Sequence, residues 1–403
     1  MKKDTRAQLL FILGFLAFWA NGDNYAAAPL LVSIAADMGL AISQAGLTVT
    51  AYMLSFGLFT ILFGPLSDKF GKGRIIITAA FGTAVFSILG GLSTNFPMLV
   101  AFRSFNGAFG AGIFPVTMAL IGTLYNDEER HESIAKVMGF MFLGGASATL
   151  IGGLLAQFST WRAVYILYGA AELLLTLAVV RLIPREAVST EPFSLTRSYR
   201  AAFRRPALLM HVVTIFFVGF AVFGSFSYAG HYVQTITGYP ILLVGVIITA
   251  FGLGTVAAGR LLPKIRPRLD AAFLPVLGTV GAASLLLVML TGLLLPNPVT
   301  ASLLLLFGFF GFGIAFVALQ STLIMGVQKQ LPAMRGTAMS MASFGMFVGG
   351  GVGTQINGRI VAAGAEPIIY ALGAVLLFTA AIVTGLRMQR MIRLQKKLAA
   401  QAA

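Results

Sequence analysis

Cysteine is absent from this chain of 403 residues, and charged residues make up only 10% of it. Without cysteine there is no disulfide, no thiolate nucleophile and no cysteine-ligated metal. The three histidines, His131, His211 and His231, are scattered, which argues against a histidine metal cluster. We therefore expect no metal and no cofactor. Soluble proteins carry about 25% charged residues, so the low charge content excludes an ordinary soluble globule.

Hydrophobic residues, by contrast, make up 58% of the chain, with 34 Phe and 46 Gly. Glycine suits helices that pack closely in lipid. Apolar runs of about 20 residues, long enough to cross a bilayer, recur along the whole sequence. Twelve transmembrane helices are predicted near residues 8–31, 44–66, 75–94, 97–125, 134–159, 163–183, 207–230, 240–262, 271–294, 299–325, 336–361 and 367–387.

The net charge of +15 follows membrane topology and does not indicate a nucleic-acid partner. With both termini in the cytoplasm, all of the 28 Lys and Arg residues except Arg103, Arg162 and Arg359 lie at cytoplasmic helix ends. This is the positive-inside rule. We expect a multi-pass protein of the cell (inner) membrane with both termini cytoplasmic. Removing the first helix as a signal peptide would reverse the pattern, so we expect it to be retained.

The two halves of the chain resemble each other. Met141–Gly145 recurs as Met346–Gly350, 205 residues later, and Thr149 matches Thr354 at the same spacing. Duplicated bundles place a binding site between them, where alternating access exposes it to either side. The predicted units are an N-terminal six-helix bundle (1–183), a cytoplasmic linker (184–206) and a C-terminal six-helix bundle with a basic cytoplasmic tail (207–403).

A charged segment, GPLSDKFGKGR at 64–74, separates the second and third predicted helices. Gly64 and Pro65 are expected to end one helix, and Gly71 to allow the reversal. The simpler interpretation is a charged turn that anchors two membrane helices. The pattern also resembles the signature loop of the major facilitator superfamily. That resemblance implies a cytoplasmic conformational latch formed by Gly64, Asp68, Lys69, Gly71 and Arg74.

Two further stretches resemble the twelve-helix drug:proton antiporter group of that family. Arg103 begins a fourth-helix motif in which Asn106 replaces the family's Gln, and in the family this Arg is linked to proton coupling. Trp161-Arg162 resembles the outer end of the hairpin after the fifth helix. In that helix Ala148-Thr149 stands where antiporters carry Gly-Pro, which keeps uptake or sugar/metabolite transport open as an alternative.

Three ionisable residues, Asp23, Arg103 and Glu172, are predicted well inside the helices, where a charge costs at least about 2.5–3.5 kcal/mol. Asp23 and Arg103 lie at similar depth, roughly 9–12 Å below the outer surface at 1.5 Å per residue, so they can pair. We predict that Asp23 is the protonation site, with Arg103 or substrate competing for its ionised form. A static ion pair is the alternative. Glu172 is either a second proton site or a protonated side chain bonded to a neighbouring helix.

Polar side chains predicted to line a cavity between the halves could equally make interhelical hydrogen bonds. In the superfamily, helices 1, 4, 7 and 10 line the cavity. Aromatic walls with few ionisable groups favour lipophilic or weakly polar molecules. The candidates are Asn21, Asn24, Tyr25, Asn106, Ser225, Tyr228, Gln320 and Asn357, the last on helix 11.

The sequence thus predicts an all-α membrane protein with twelve transmembrane helices in two pseudo-symmetric six-helix bundles, the major facilitator fold. The expected function is secondary active transport by alternating access, with proton-coupled export of a small lipophilic or weakly polar organic compound. Its partners are a small-molecule substrate, protons and the lipid bilayer, and a monomer is expected. An intramembrane enzyme is a remote alternative, because Asp23 and Glu172 are the only deep acids available for catalysis.

Overall fold

The computed structural model describes residues 3–125, 127–184, 195, 199–200, 203–269, 273–294, 297–330 and 335–402. Helices account for nearly all of these residues. In chain order they are α1 (Lys3–Met38), α2 (Ile42–Ala45), α3 (Leu47–Phe70), α4 (Lys72–Gly91), α5 (Phe96–Gly110), α6 (Phe114–Leu124), α7 (Asp127–Phe158), α8 (Trp161–Leu182), α9 (Pro206–Phe226), α10 (Ala229–Thr237), α11 (Ile241–Leu269), α12 (Phe273–Leu294), α13 (Pro298–Gln330), α14 (Arg335–Ala362) and α15 (Glu366–Ala402).

These helices make twelve crossings, because α2–α3, α5–α6 and α9–α10 each continue one another. In the described ranges, ten crossings are long and apolar enough to span a membrane by length and composition. The other two, α1 and α14, have 36 and 28 residues. Asn21, Asp23 and Asn24 make α1 less apolar, and glycine does the same in α14. Helices satisfy every backbone hydrogen bond internally, as an apolar solvent requires.

The prediction that Gly64 and Pro65 end a helix is wrong, because α3 continues through Pro65 to Phe70. Proline lacks an N–H, so it leaves the carbonyl of Ile61, four residues earlier, without its helical donor. The Tyr199 hydroxyl donates to that carbonyl at 2.8 Å. The reversal occurs instead at Gly71, whose φ of 93° favours glycine.

Helix packing repeats between the two halves. In the first half α1 packs on α7, α3 on α5 and α4 on α8; in the second, α9 packs on α14, α11 on α13 and α12 on α15. A Cβ added to Gly144 of α7 would lie 2.0 Å from the Phe18 carbonyl oxygen, and one on Gly349 of α14 would lie 2.0 Å from that of Phe216. The sequence repeat is therefore also a repeat of helix contacts.

The two halves meet along two main seams, α3 against α14 and α7 against α11, with a smaller contact between α1 and α10. Glycine again permits the approach: a Cβ on Gly252 of α11 would lie 2.1 Å from the Ala146 Cα. At the end that carries the 64–74 turn, a Cβ on Gly73 would lie 3.1 Å from the carbonyl oxygen of Pro184, just after α8, and Tyr199 of the predicted linker contacts α3. We call this end the basic end.

Replacing Gly144 with Ala is expected to destabilise the protein by about 1–3 kcal/mol, the usual cost of overpacking, because the new methyl meets the α1 backbone. The measurement is the thermal unfolding midpoint of the purified protein in detergent. Gly139→Ala is the matched control on the same helix, since a Cβ there meets nothing within 4 Å. Equal midpoints for the two variants would contradict the assigned α1–α7 packing.

Candidate functional site

A buried ion pair lies inside the first half. Arg103 of α5 donates from Nη1 to Oδ1 of Asp23 on α1 at 3.1 Å and to Oδ1 of Asn106 at 2.9 Å. Asn106 donates in turn to the Thr83 carbonyl of α4 at 3.0 Å. The Arg103 and Asp23 side chains are only 1% and 0% exposed. The structure therefore brings together the two residues that were expected to pair from their depth.

Two aromatic rings flank the Arg103 guanidinium. Its central carbon lies 4.5 Å from the Tyr52 ring centroid and 4.8 Å from that of Tyr165. Cation–π contacts of this kind contribute about 2 kcal/mol when desolvated. Gly107 makes the arrangement possible, because a Cβ there would lie 2.1 Å from the Tyr52 carbonyl oxygen. Arg103 is thus held between α3 and α8 as well as paired to α1.

Glu172 on α8 completes the group, which we call the ionic cluster: Asp23, Arg103 and Glu172 with Tyr52, Tyr165 and Tyr168. Glu172 is fully buried, and the charges of Asp23 and Arg103 both act on its carboxyl group. Asp23 is bonded to the guanidinium, and Glu172 is a second buried carboxyl group near it. Full ionisation would leave one negative charge uncompensated in an apolar interior, which is strongly unfavourable.

Many polar atoms of the ionic cluster have no hydrogen-bond partner among the described residues. Buried polar atoms are normally paired with protein or ordered water, so this concentration distinguishes the cluster from ordinary helix packing. These atoms can bind water molecules, and the two carboxyl groups can exchange a proton. The atoms concerned are Asp23 Oδ2, Arg103 Nε and Nη2, the Tyr165 and Tyr168 hydroxyls and both carboxyl oxygens of Glu172.

The second half has apolar residues where the first has these ions. A Cβ on Gly313 would lie 2.0 Å from the Phe251 carbonyl oxygen, as one on Gly107 would from that of Tyr52. Tyr165 and Tyr370, 205 residues apart, are both buried with unpaired hydroxyls. Counting from these matched positions gives fully buried counterparts: Ala221 for Asp23, Phe309 for Arg103 and Leu377 for Glu172.

Aromatic rings fill the space between the halves. Phe56 of α3 stacks on Phe347 of α14 with centroids 3.8 Å apart, and Tyr25 of α1 lies 5.9 Å from Phe223 of α9. The Tyr52 ring, which contacts Arg103, is 6.0 Å from Phe56. The Tyr52 ring therefore lies between Arg103 and the rings that fill the space between the halves. The central ring cluster consists of Tyr25, Phe56, Phe223, Phe226, Phe251, Phe312, Phe316 and Phe347.

Of the predicted cavity residues, Tyr25 lies in the central ring cluster. Asn24 and Asn357 are buried, and their Oδ1 atoms have no partner among the described residues. Asn21 donates to the Met141 carbonyl at 2.8 Å and so joins α1 to α7.

The remaining predicted cavity residues lie elsewhere or make structural contacts. Tyr228 donates to the Thr354 carbonyl at 3.1 Å, and Ser225 to the Ile369 carbonyl of α15 at 3.3 Å. Asn106 belongs to the Arg103 network inside the first half, and Gln320 is half-buried on α13. Asn106 and Ser225 thus lie within the bundles rather than between them.

The predicted latch residues lie at the basic end. A Cβ on Gly64 of α3 would lie 3.0 Å from the Ser340 Oγ of α14, so this residue is on the seam between the halves. The Lys69 ammonium lies 5.9 Å from the Phe70 ring centroid. Asp68 and Arg74 are exposed on either side of Gly71.

At the opposite end, Trp161 and Arg162 at the start of α8 contact the end of α1 within the first half. Asp37 accepts hydrogen bonds from Arg162 Nη1 at 2.6 Å and Trp161 Nε1 at 3.1 Å. These bonds, Arg162 first, lower the pKa of Asp37, so it stays ionised at neutral pH. Arg162 also donates to the Ser93 carbonyl at 3.3 Å. The contact pins α1, α4 and α8 together.

The tyrosines around Arg103 were not among the residues predicted from the sequence. Tyr165, Tyr168 and Glu172 recur at helical spacing along one face of α8, a signal that was present in the sequence. No sequence pattern indicates the role of Tyr52, because that role depends on how closely α5 approaches α3. In the described ranges no group of three or more His, Cys, Asp or Glu residues is arranged to hold a metal ion.

Comparison with known proteins gives one consistent family. The family model described as Major Facilitator Superfamily matches residues 10–354. The chain is 28% identical to the uncharacterized MFS-type transporter YceJ of Bacillus subtilis over 349 residues, 85% of this chain and 86% of that protein. It is 29% identical to the puromycin resistance protein pur8 of Streptomyces alboniger, over 59% of each chain.

Among solved structures, a bacterial homologue of the human lysosomal transporter Spinster, inward-facing and unoccupied, superposes with a TM-score of 0.72. Sequence identity is 18%, and the match covers 96% of this chain and 95% of that one. At this identity the likeness concerns the fold. The predicted fold class, twelve helices in two pseudo-symmetric bundles, is confirmed.

A double-mutant cycle tests the buried pair. Asp23→Asn and Arg103→Gln are each expected to destabilise strongly, by about 3–5 kcal/mol, because the first removes the carboxylate hydrogen-bonded to Arg103 and the second leaves two buried carboxyl groups without a cation. The double variant should lose less than the sum, with a coupling of about 1 kcal/mol or more. Thermal midpoints in detergent measure both. Asp37→Asn is the control, since an exposed pair contributes at most about 1 kcal/mol; strictly additive losses would contradict the pairing.

Proposed function

Because the chain belongs to the major facilitator superfamily, we propose that it is a secondary active transporter that exports a small lipophilic or weakly polar organic compound in exchange for protons. The protein works by alternating access, with both termini in the cytoplasm. The single observation that carries the proton coupling is the ionic cluster, in which Asp23, bonded to Arg103, and Glu172 are two buried carboxyl groups near one buried guanidinium.

The ionic cluster is electrically balanced when it carries one proton on a carboxyl group. Protonation of either Asp23 or Glu172 leaves one carboxylate to balance Arg103, so the buried group becomes neutral overall. Losing that proton restores an uncompensated charge, which the interior disfavours. A change in the bundle that opens the cluster to water lowers this penalty and releases the proton. The proton therefore loads and unloads with conformation.

A chain of contacts leads from the ionic cluster to the other half. Arg103 contacts the Tyr52 ring at 4.5 Å, Tyr52 lies 6.0 Å from Phe56, and Phe56 stacks on Phe347 of the second half at 3.8 Å. When Asp23 is protonated, the charge that balances Arg103 moves from Asp23 on α1 to Glu172 on α8, and α1 no longer fixes the position of Arg103 against Tyr52. The proposed coupling acts through this row of rings.

The substrate site is proposed in the central ring cluster. Its rings offer stacking surfaces, and the unpaired amide oxygens of Asn24 and Asn357 supply acceptors for a polar group. An aromatic molecule with one or two donors has the matching chemistry. The name of the Streptomyces relative, a puromycin resistance protein, makes puromycin a reasonable first probe.

Uptake, or transport of a sugar or metabolite, is the second candidate. The observation in its favour is in α7, which lacks the Gly-Pro of antiporters. Thr149 at this position exchanges a hydrogen bond with Thr249 of α11 at 2.9 Å, which joins the halves directly across the α7–α11 seam.

Proteoliposomes with an imposed pH gradient test the proposal, with puromycin and a panel of aromatic compounds as probes. Export predicts that substrate moves against the proton gradient, whereas a symporter moves it with the protons. Asp23→Asn and Glu172→Gln should each abolish gradient-driven accumulation while retaining substrate counterflow, since neither side chain lies in the central ring cluster. Full gradient-driven accumulation in Asp23→Asn would overturn the coupling role.

Asp37→Asn serves as the matched control, because it removes an exposed acid of α1 that pairs with Arg162. It should keep gradient-driven transport. If it loses transport together with Asp23→Asn, the cause is general damage to α1 and not loss of a proton site.

The latch residues give a separate prediction. Asp68→Asn is expected to slow turnover while leaving substrate affinity largely intact, because Asp68 lies at the basic end and far along α3 from Tyr52. Counterflow rates and equilibrium binding on the same preparation separate the two quantities. Unchanged turnover would refute the latch role, and loss of binding would move Asp68 to the substrate site.

A further inference from the structure

A groove of about 1210 Å³ lies at the basic end. One wall is formed by α9, including Leu209, Val212 and Val213, and the opposite wall by Ile61 of α3 with Phe344 of α14. The described residues of the predicted linker, from Leu195 to Arg204, close it from the side. The groove therefore touches both halves and the segment that joins them.

The groove opens away from the central ring cluster. On α9, Val213 is 54% exposed, and Phe217 on the same face is 38% exposed. At 3.6 residues per turn, Val213 lies about 140° around the helix from Phe226, which belongs to the central ring cluster. The open side thus corresponds to the outer surface of the bundle, where a membrane protein meets acyl chains.

The walls are apolar, but the rim carries two cations. Arg200 and Arg204 both line the groove and are exposed. Phe203, between them in the sequence, is 63% exposed beside the same groove. Guanidinium groups bind phosphate oxygens in a bidentate manner. An apolar trough that ends at two such groups is complementary to a molecule with acyl chains and an anionic head.

We propose that this groove binds an anionic phospholipid, with its phosphate between Arg200 and Arg204 and its acyl chains along Leu209, Val213 and Phe344. The position of the basic end at the membrane surface places a headgroup at the right depth. The phosphate of a zwitterionic lipid is already compensated by the ammonium group of its own head, so two guanidinium groups favour a lipid with a net negative charge, and a free phosphate would not use the apolar walls.

The bound lipid supports the kinked helix of the signature segment. Tyr199 lines the groove and donates to the Ile61 carbonyl that Pro65 leaves without a helical donor. Burial raises the pKa of Tyr199 to about 12, so its hydroxyl remains a donor at physiological pH. A lipid bound to Arg200 and Arg204 therefore also holds Tyr199 on α3, and favours the state in which α3 and α14 are in contact at this end.

Native mass spectrometry of the full chain in neutral detergent tests the proposal with dioleoyl phosphatidylglycerol, dioleoyl phosphatidylcholine and glycerol phosphate as probes. Phosphatidylglycerol should bind most tightly and glycerol phosphate weakest. Arg200→Gln/Arg204→Gln should lower the phosphatidylglycerol affinity about tenfold and that for zwitterionic phosphatidylcholine much less. Arg200→Lys/Arg204→Lys should keep most of the affinity, which separates loss of charge from misfolding.

Arg181→Gln is the matched control, since it removes an exposed arginine of the basic end outside the groove. Its lipid affinities should equal those of the wild type. Equal binding of the two lipids to wild type would overturn the proposal in favour of an unselective apolar crevice. If Arg181→Gln lowers the phosphatidylglycerol affinity as much as the double Gln variant does, the binding depends on general surface charge and the proposed site is wrong. Tight binding of glycerol phosphate would also contradict the proposal, because it would indicate an anion site that does not recognise acyl chains.

Discussion

The buried guanidinium of Arg103 is the constraint around which the first half is built. A cation with 1% exposure is tolerated in an apolar bundle only when several elements compensate it. Asp23 of α1, Asn106 of α5 and the rings of Tyr52 on α3 and Tyr165 on α8 all do so. Four helices are therefore oriented toward one charge, and Gly107 is needed because the backbone of α3 must come so close.

The duplicated fold makes the specialisation of this half visible. The glycine contacts at Gly144 and Gly349 are matched, so the two halves share their packing. Their buried chemistry differs, because Phe309 takes the place of Arg103 and Leu377 that of Glu172. The two halves share the packing that forms the interface, whereas the fully buried pair of Asp23 and Arg103 belongs to the first half. In the proposed mechanism, stacking on the substrate and binding of the proton therefore take place in different parts of a symmetric frame.

The sequence predicted what depends on composition and periodicity. Twelve crossings follow from the apolar runs, and the meeting of Asp23 with Arg103 follows from their similar depth on helices of opposite direction. It could not predict where Pro65 would be tolerated, because that depends on Tyr199, a residue 134 positions later whose hydroxyl reaches the Ile61 carbonyl. Likewise Asn106 and Ser225 have the polarity of cavity residues, but only the rotation of α5 and α9 decides that they face their own bundles.

The separation between the ionic cluster and the central ring cluster changes the form of the coupling. The sequence suggested that Arg103 or a substrate competes directly for the Asp23 carboxylate. A molecule stacked on Phe56 and Phe347 is separated from Arg103 by the Tyr52 ring, so in the proposed mechanism such competition is indirect. In the proposed mechanism the substrate spreads or closes the rings, the rings reposition Tyr52 against Arg103, and Arg103 then determines which carboxyl keeps its proton. Because the link is steric and not ionic, a neutral substrate can drive it as well as a charged one.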